Sequence, residues 1–223
     1  MEKAFSSWSG GKDGCLALYR AINGGLDVRY LVNMISEDGR RSCSHGVRAD
    51  VIARQAEALG IPVAQQRTTT PTYETVFIDL LKELKQKGIT TGVFGDIEYD
   101  SHRAWNENVC AGAGMKAVLP LWEEDQTALL MEFLDSGFVS IVITVRSSLL
   151  DKDALGRVVD HDFLDYLAKL DRGITPCGED GEFHTLVVDG PIFRQRLELL
   201  QTEKVPYGEH YYLDILETRL VDK

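Results

Sequence analysis

Apolar and polar positions alternate in blocks that predict strands and helices in turn through the first half of the chain. Residues 4–8 are a short strand candidate, followed by a Gly-rich turn. Cys15, Leu16, Leu18, Tyr19 and Ile22 then fall close to a helical stripe, stopped by Asn23-Gly24-Gly25. Residues 28–35 are nearly continuously apolar and predict a second strand, buried on both faces. A helix is expected over 47–59, ended by Gly60 and Pro62, and a weaker strand over 63–67. Tyr73, Val76, Phe77, Leu80, Leu81 and Leu84 recur with helical spacing, and Gly88 closes that helix. A fourth strand is expected at 93–96, a helix at 103–112 and a fifth strand at 117–121.

Five strands alternating with helices imply right-handed crossovers and a five-stranded parallel α/β sheet covered on both faces. Ligands of such sheets bind beyond the carboxyl ends of the strands. The segments 9–13, 37–45 and Asp96 fall at those ends. Past Trp122, Asp125 caps a helix to about 134 and Gly137 ends it. A strand is expected at 138–145, a helix at 160–170, and strands at 183–188 and 211–218. This second half predicts a smaller C-terminal α+β domain, giving domains 1–122 and 123–223, with no internal repeat.

Composition narrows the function classes. Hydrophobic residues at 44% and charged residues at 26% are ordinary for a soluble globular chain. No apolar run is long enough to cross a bilayer and no leader pattern follows Met-Glu-Lys, so a cytoplasmic location without membrane contact is expected. Twenty-four basic against thirty-five acidic residues give a net charge of −11. That balance opposes extended nucleic-acid binding but leaves room for a small basic pocket. Cys15, Cys43, Cys110 and Cys177 form no C-x-x-C pair, which excludes a zinc ribbon or dithiol centre of that type.

Four segments carry candidate chemistry. Ser9-Gly10-Gly11-Lys12-Asp13-Gly14 joins a strand to a helix. Its glycines admit an anion to the backbone, and N–H groups at the helix start point toward it. Ser9 offers a hydroxyl, Lys12 a charge, and Asp13 either holds magnesium or caps the helix. The spacing is not a Walker loop, and a tight turn with an N-cap is the plain alternative. The segment 178–185 gathers Glu179, Asp180, Glu182 and His184. It can orient ammonia, hold magnesium or move a proton; an acidic turn entering a strand is the other reading. The segment 39–48 concentrates positive charge, with His45 placed to meet a nucleotide and Arg48 a carboxylate, or is a solvated loop. Asp96 precedes Arg103, Asn106 and Glu107, which share one helical face as site residues or as an ion pair and cap. Tyr73, Trp105 and Trp122 are read as packing residues.

The S-G-G-K-D stretch resembles the loop of the PP-loop ATP pyrophosphatases, of the adenine nucleotide alpha-hydrolase (HUP) type. Within that superfamily the chain resembles the diphthine–ammonia ligase family over nearly its whole length. Gly95-Asp96-Ile97, the stretch 103–110, Pro120-Leu121-Trp122 and the stretch 177–185 carry the likeness. The resemblance implies an ATP-dependent ligase that forms an amide through an acyl-adenylate, with release of AMP and pyrophosphate. ATP, Mg2+ and ammonia would be required. Joined to the residue readings, it assigns ATP binding to Ser9, Gly10, Gly11, Lys12, Asp13, His45 and Asp96, with Asp13 toward the metal. Substrate binding goes to Arg48, Arg103, Asn106, Glu107, Glu179, Glu182 and Thr185, and catalysis to Lys12, Glu179, Glu182 and His184. The implied acceptor is the diphthine side chain of translation elongation factor two. Two positions depart from the family pattern. Gly14 stands where a loop Ser is usual, and Glu-Asp-Gly-Glu replaces Glu-Gly-Gly-Glu. The second resembles a bacterial-type branch for which corrinoid salvage has been suggested, so a corrinoid-related small acid is the alternative acceptor. A tRNA-modifying ATP pyrophosphatase and a non-catalytic nucleotide sensor are further readings; acidic charge and the lack of cysteine pairs oppose the first. A homo-oligomer is left open.

Overall fold

Strand β1 (Lys3–Ser7) opens the computed structural model, which describes residues 1–223, and it is the centre of the first sheet. Its Ala4, Phe5 and Ser6 have no exposed surface. Helix α1 (Lys12–Asn23) follows at once, and β2 (Asp27–Ser36) pairs parallel to β1. Helix α2 (Ala49–Leu59) stops where Gly60 takes a left-handed conformation. Strand β3 (Val63–Thr68), helix α3 (Tyr73–Gln86), strand β4 (Thr91–Val93), helix α4 (Asp100–Gly112) and strand β5 (Lys116–Val118) complete the unit. All four pairings are parallel and the order is β3-β2-β1-β4-β5. The order reverses between β1 and β4, where ligands of such sheets bind.

The second sheet is antiparallel, in the order β7-β6-β9-β8. It comprises β6 (Val139–Arg146), β7 (Phe183–Asp189), β8 (Gln195–Tyr207) and β9 (His210–Asp222). Helices α5 (Gln126–Asp135) and α6 (His161–Leu170) accompany it. Each starts at a carboxylate cap: Asp125 accepts from the Ala128 N–H at 2.9 Å and Asp160 from the Phe163 N–H at 2.8 Å.

Two apolar layers hold these parts. Phe5, Val32 and Met34 pack beneath α3 and α4 on one face of the parallel sheet. On the other face, α1 and α2 share a single core of 40 buried residues with the second sheet and its helices. Strand β7 packs on α1, and β8 and β9 pack on α2. No helix is long and apolar enough to cross a membrane.

The fold class matches the expectation, with local differences. β4 ends at Val93 rather than 96, where its last pairing with β1, Ser6 to Val93, is made and the backbone must then pass the loop after β1. A side chain on Gly95 would lie 2.7 Å from the Gly14 nitrogen. β5 is a three-residue edge strand, and α4 begins three residues before Arg103. β8 was not anticipated. It is an edge strand with a mostly exposed, charged sequence and a proline at 206, so alternation is weak.

Candidate active site

A cavity of about 240 Å³ opens at the point where the strand order reverses. The loop after β1 forms one side of it and the turn before β7 the other. Gly10 turns the loop with φ +85, a left-handed conformation in which a side chain would also strike Gln55 and Ile52 at 2.8 Å. The second sheet holds the loop there. The Val187 N–H donates to the Gly10 carbonyl at 2.9 Å, and the Lys12 N–H donates to Thr185 Oγ1 at 3.1 Å. Gln55, fully buried on α2, donates from Nε2 to the carbonyls of Gly10 (2.9 Å) and Val187 (2.7 Å). Its Oε1 accepts from Trp8 Nε1 at 2.8 Å. One amide thus fastens both domains to the loop.

The Lys12 side chain is 4% exposed. Its ammonium donates to Asp13 Oδ2 at 2.8 Å and to the Cys177 carbonyl, and lies 5.5 Å from the Phe183 ring centre. Burial opposes that charge, but Asp13, Cys177 and Glu179 outweigh it and hold the pKa above the ordinary lysine value. Glu179 lines the same cavity. Burial pushes its carboxyl up to about 8, with Asp13, Glu98 and Asp96 adding to the rise and Lys12 opposing it. The rings of His45 and His184 stack at 4.4 Å and 15° on the cavity wall. Burial, then His184 and Lys12, drive His45 far below the ordinary imidazole range; burial, then Lys12, His210 and Arg146, push His184 down to about 4. Both rings are therefore neutral near pH 7, hydrogen-bonding groups rather than cations. His45 Nδ1 is buried without a partner.

The cavity brings together Ser9, Lys12, Asp13, His45, Asp96, Glu179, His184 and Thr185, with Gly10 and Gly11 buried in the loop between them. The other expected residues lie elsewhere. Glu182 is buried behind the cavity, where its Oε1 accepts from the Thr175 N–H at 2.7 Å and shapes the turn. Asn106 supports Asp96 from behind, donating to Oδ2 at 2.7 Å. Arg103 and Glu107 are exposed, paired at 2.9 Å, and Arg103 lies over Trp122 at 5.3 Å. Arg48 grips Asp214 through two bonds of 2.8 and 2.9 Å in a separate cleft. At Gly14 a side chain would meet only the Ser7 carbonyl, at 3.7 Å, so no steric conflict explains the missing serine.

Two residues escaped the sequence reading. His102 lines the cavity and its Nδ1 sits 3.2 Å from Asp96. Its spacing of four from Asn106 was the available signal. Gln55 is a polar residue within the apolar face of α2, between Ile52 and Ala56. Such a position needs buried partners, and it has three.

No group of three or more metal-binding side chains converges in the chain. The carboxylates of Asp13 and Asp96 fit a magnesium ion only in the mode that uses one or two carboxylates together with substrate phosphates.

Comparison with known proteins decides the family. Residues 2–117 match the diphthamide synthase N-terminal domain, and residues 125–221 the diphthamide synthase C-terminal domain. The chain belongs to the diphthamide synthase family. Within the family it is 30% identical to diphthine–ammonia ligases of Danio rerio and Bos taurus, over 93% and 96% of this chain and 90% and 91% of theirs. The diphthine–ammonia ligase of Schizosaccharomyces pombe is also 30% identical over 93% of this chain, which spans only 38% of that longer protein. The family is thus one of enzymes whose named members are ligases. A solved structure titled as a predicted subunit of tRNA methyltransferase from Methanocaldococcus jannaschii aligns at TM-score 0.45 and 16% identity, over 85% of this chain and 98% of that one.

Proposed function

We propose that the chain is an ATP-dependent ligase that converts a carboxylate into an amide through an acyl-adenylate. The observation that carries this reading is the meeting of the Gly10–Lys12 loop with the Cys177–Thr185 turn in one cavity at the sheet's reversal point. An ammonium held above its ordinary pKa and buried beside loop N–H groups suits a polyphosphate. The raised carboxyl of Glu179 suits a proton-transfer partner.

In the proposed reaction an acceptor carboxylate oxygen attacks the α-phosphorus of ATP and the bond to pyrophosphate breaks. Ammonia then attacks the acyl carbon, the bond to AMP breaks, and the nitrogen sheds a proton. Lys12 and the Gly10-Gly11 backbone stabilise negative charge on the phosphates as it shifts. Asp13 and Asp96 would hold magnesium, whose contribution is to neutralise phosphate charge. Glu179 in its ionised form takes the proton from nitrogen. His45 offers the free Nδ1 to the nucleotide, and His184 keeps the His45 ring in place by stacking. Glu182 and Thr185 position the turn that carries Glu179, and Asn106 positions Asp96. Arg103 and Glu107 act at the outer rim of α4, and Arg48 acts in the neighbouring cleft. We divide the work between an ATP-binding domain at 1–122 and a substrate-binding domain at 123–223, in the cytoplasm.

The relatives' names support diphthine as the acceptor, and the family resemblance places that side chain on elongation factor two. The Glu179-Asp180-Gly181-Glu182 variant supports a second acceptor, a corrinoid-related small acid. A product assay with α-labelled ATP, magnesium and ammonium separates these, with each acceptor added in turn. AMP formed with one of them and not the other names the acceptor. ADP as the only product, or no product with either, rejects the ligase.

A further inference from the structure

Beside the cavity lies a second, larger cleft of about 1460 Å³. The loop from β2 into α2 forms one wall, and the tip of the β8–β9 hairpin, with Pro206, Tyr207 and Tyr212, forms the other. Ser44 and Tyr73 line both spaces. We propose that this cleft is the acceptor site and that it receives a polypeptide segment bearing the carboxylate to be amidated. The proposal rests on the ligase reading above and adds to it where the acceptor binds and what kind of molecule it is.

Continuity is the first argument. Ser44 and Tyr73 are walls common to the cleft and the cavity, and His45, next to Ser44, lines the cavity with Lys12, so the two spaces adjoin. Charge is the second. In a chain of net charge −11 this wall is charge-balanced, presenting Arg40, Arg41 and Arg48 against Glu37, Asp38 and Asp50. Two of the arginines are committed: Arg41 and Arg48 both bond Asp214 on β9, at 3.0 and 2.8 Å, which fixes the hairpin against the loop. Arg40 makes only a loose, exposed pair: its side chain is 83% exposed and its Nε lies 3.7 Å from Asp38 Oδ2, while Ser36 Oγ and the Arg40 N–H donate to the other oxygen, Oδ1. A surface pair of this kind is worth little and can be exchanged for a ligand's carboxylate or main-chain carbonyl.

Shape and surface supply the third argument. The volume exceeds the roughly 300–1,000 Å³ usual for small-molecule pockets. In the same lining Tyr207 is 73% exposed and meets Tyr212 edge-on with ring centres 5.6 Å apart. Exposed tyrosine and arginine are residue types enriched at the energetic centres of protein contacts. The lining also carries the exposed hydroxyls of Ser44 and Thr70, suited to the donors and acceptors of a peptide backbone, whereas those of Ser42, Thr68 and Thr69 are engaged by Asn33 and Thr72.

The test compares the full chain with Arg40→Glu, Arg40→Ala and Tyr207→Ser, and with Arg29→Glu at the amino end of β2 as a control. Both targeted side chains are exposed, and matching melting temperatures establish that the variants fold. AMP release is followed against the concentration of diphthine-bearing elongation factor and, separately, of a free corrinoid acid. The expected result is an acceptor KM raised about tenfold for the elongation factor in each cleft variant, with the KM for ATP unchanged and the control silent. Unchanged acceptor KM values in all three cleft variants overturn the cleft assignment while the ligase reading stands. AMP release with the free acid alone overturns the polypeptide assignment in the same way. No AMP with either acceptor rejects the ligase reading, and this proposal with it.

Discussion

Lys12 is the only cation buried within the loop, and its surroundings define what its removal does. In the proposed reaction, Lys12→Ala would leave Asp13 and Glu179 facing the nucleotide with no compensating charge. Loss of such an electrostatic contact lowers kcat/KM for AMP formation by about 10²–10³, measurable in the product assay. Lys12→Arg is expected not to rescue, because the Cys177 carbonyl and the Phe183 face enclose a compact ammonium rather than a planar fork. Glu179 gives a prediction in pH. Its folded pKa of about 8 lies above that of the unfolded carboxyl. Between the two values the native state alone holds the proton, so this group's contribution to stability is full at low pH and is lost as pH rises through about 8. Glu179→Gln removes that loss. Thermal melts near pH 4 should coincide, while near pH 9 the variant should melt higher than the parent. Parallel melting curves across the range would contradict the assignment.

Among the elements, α2 matters more to the site than its distance from the chemistry suggests. Gln55→Leu strips Trp8 Nε1 and the Val187 carbonyl of a buried partner and removes one of two bonds to the Gly10 carbonyl. The expected cost is about 2–4 kcal/mol in urea unfolding, with a raised KM for ATP because the loop is no longer held from behind. A change confined to stability would show that Gln55 braces the core and not the loop. Legibility in the sequence followed the same physics. Helix α3 and strand β2 were readable because burial imposed an apolar stripe at helical spacing on the first and a nearly continuous apolar run on the second. Strand β8 was not, since an edge strand facing solvent needs little apolar alternation. The loop of Ser9 to Asp13 stood out by composition, whereas the turn around Glu179 read equally as an acidic turn and was singled out by the family resemblance. The clamp between them did not stand out, because Thr185, Val187 and Gln55 act through long-range pairs that no local spacing encodes. Arg103 and Glu107 share a helical face with Asn106, yet helix periodicity cannot say which part of that face meets the cavity.

Across the whole molecule, the single core shared by both sheets implies that the two domains stand or fall together. The chain should unfold in one thermal transition by calorimetry, and residues 1–122 alone should fail to bind ATP with the parent's affinity, because β7 no longer pins the loop. Two separated transitions would contradict this. The shared core also explains the site's composition: the Gly10–Lys12 loop comes from one part of the chain, and Glu179, His184 and Thr185 come from the other. The most direct test of adenylate formation in this shared cavity is acceptor-dependent exchange of labelled pyrophosphate into ATP, with ammonia withheld. Exchange that needs the acceptor and disappears in Lys12→Ala is the predicted result. Product formation without any such exchange, or exchange undiminished in Lys12→Ala, would contradict it.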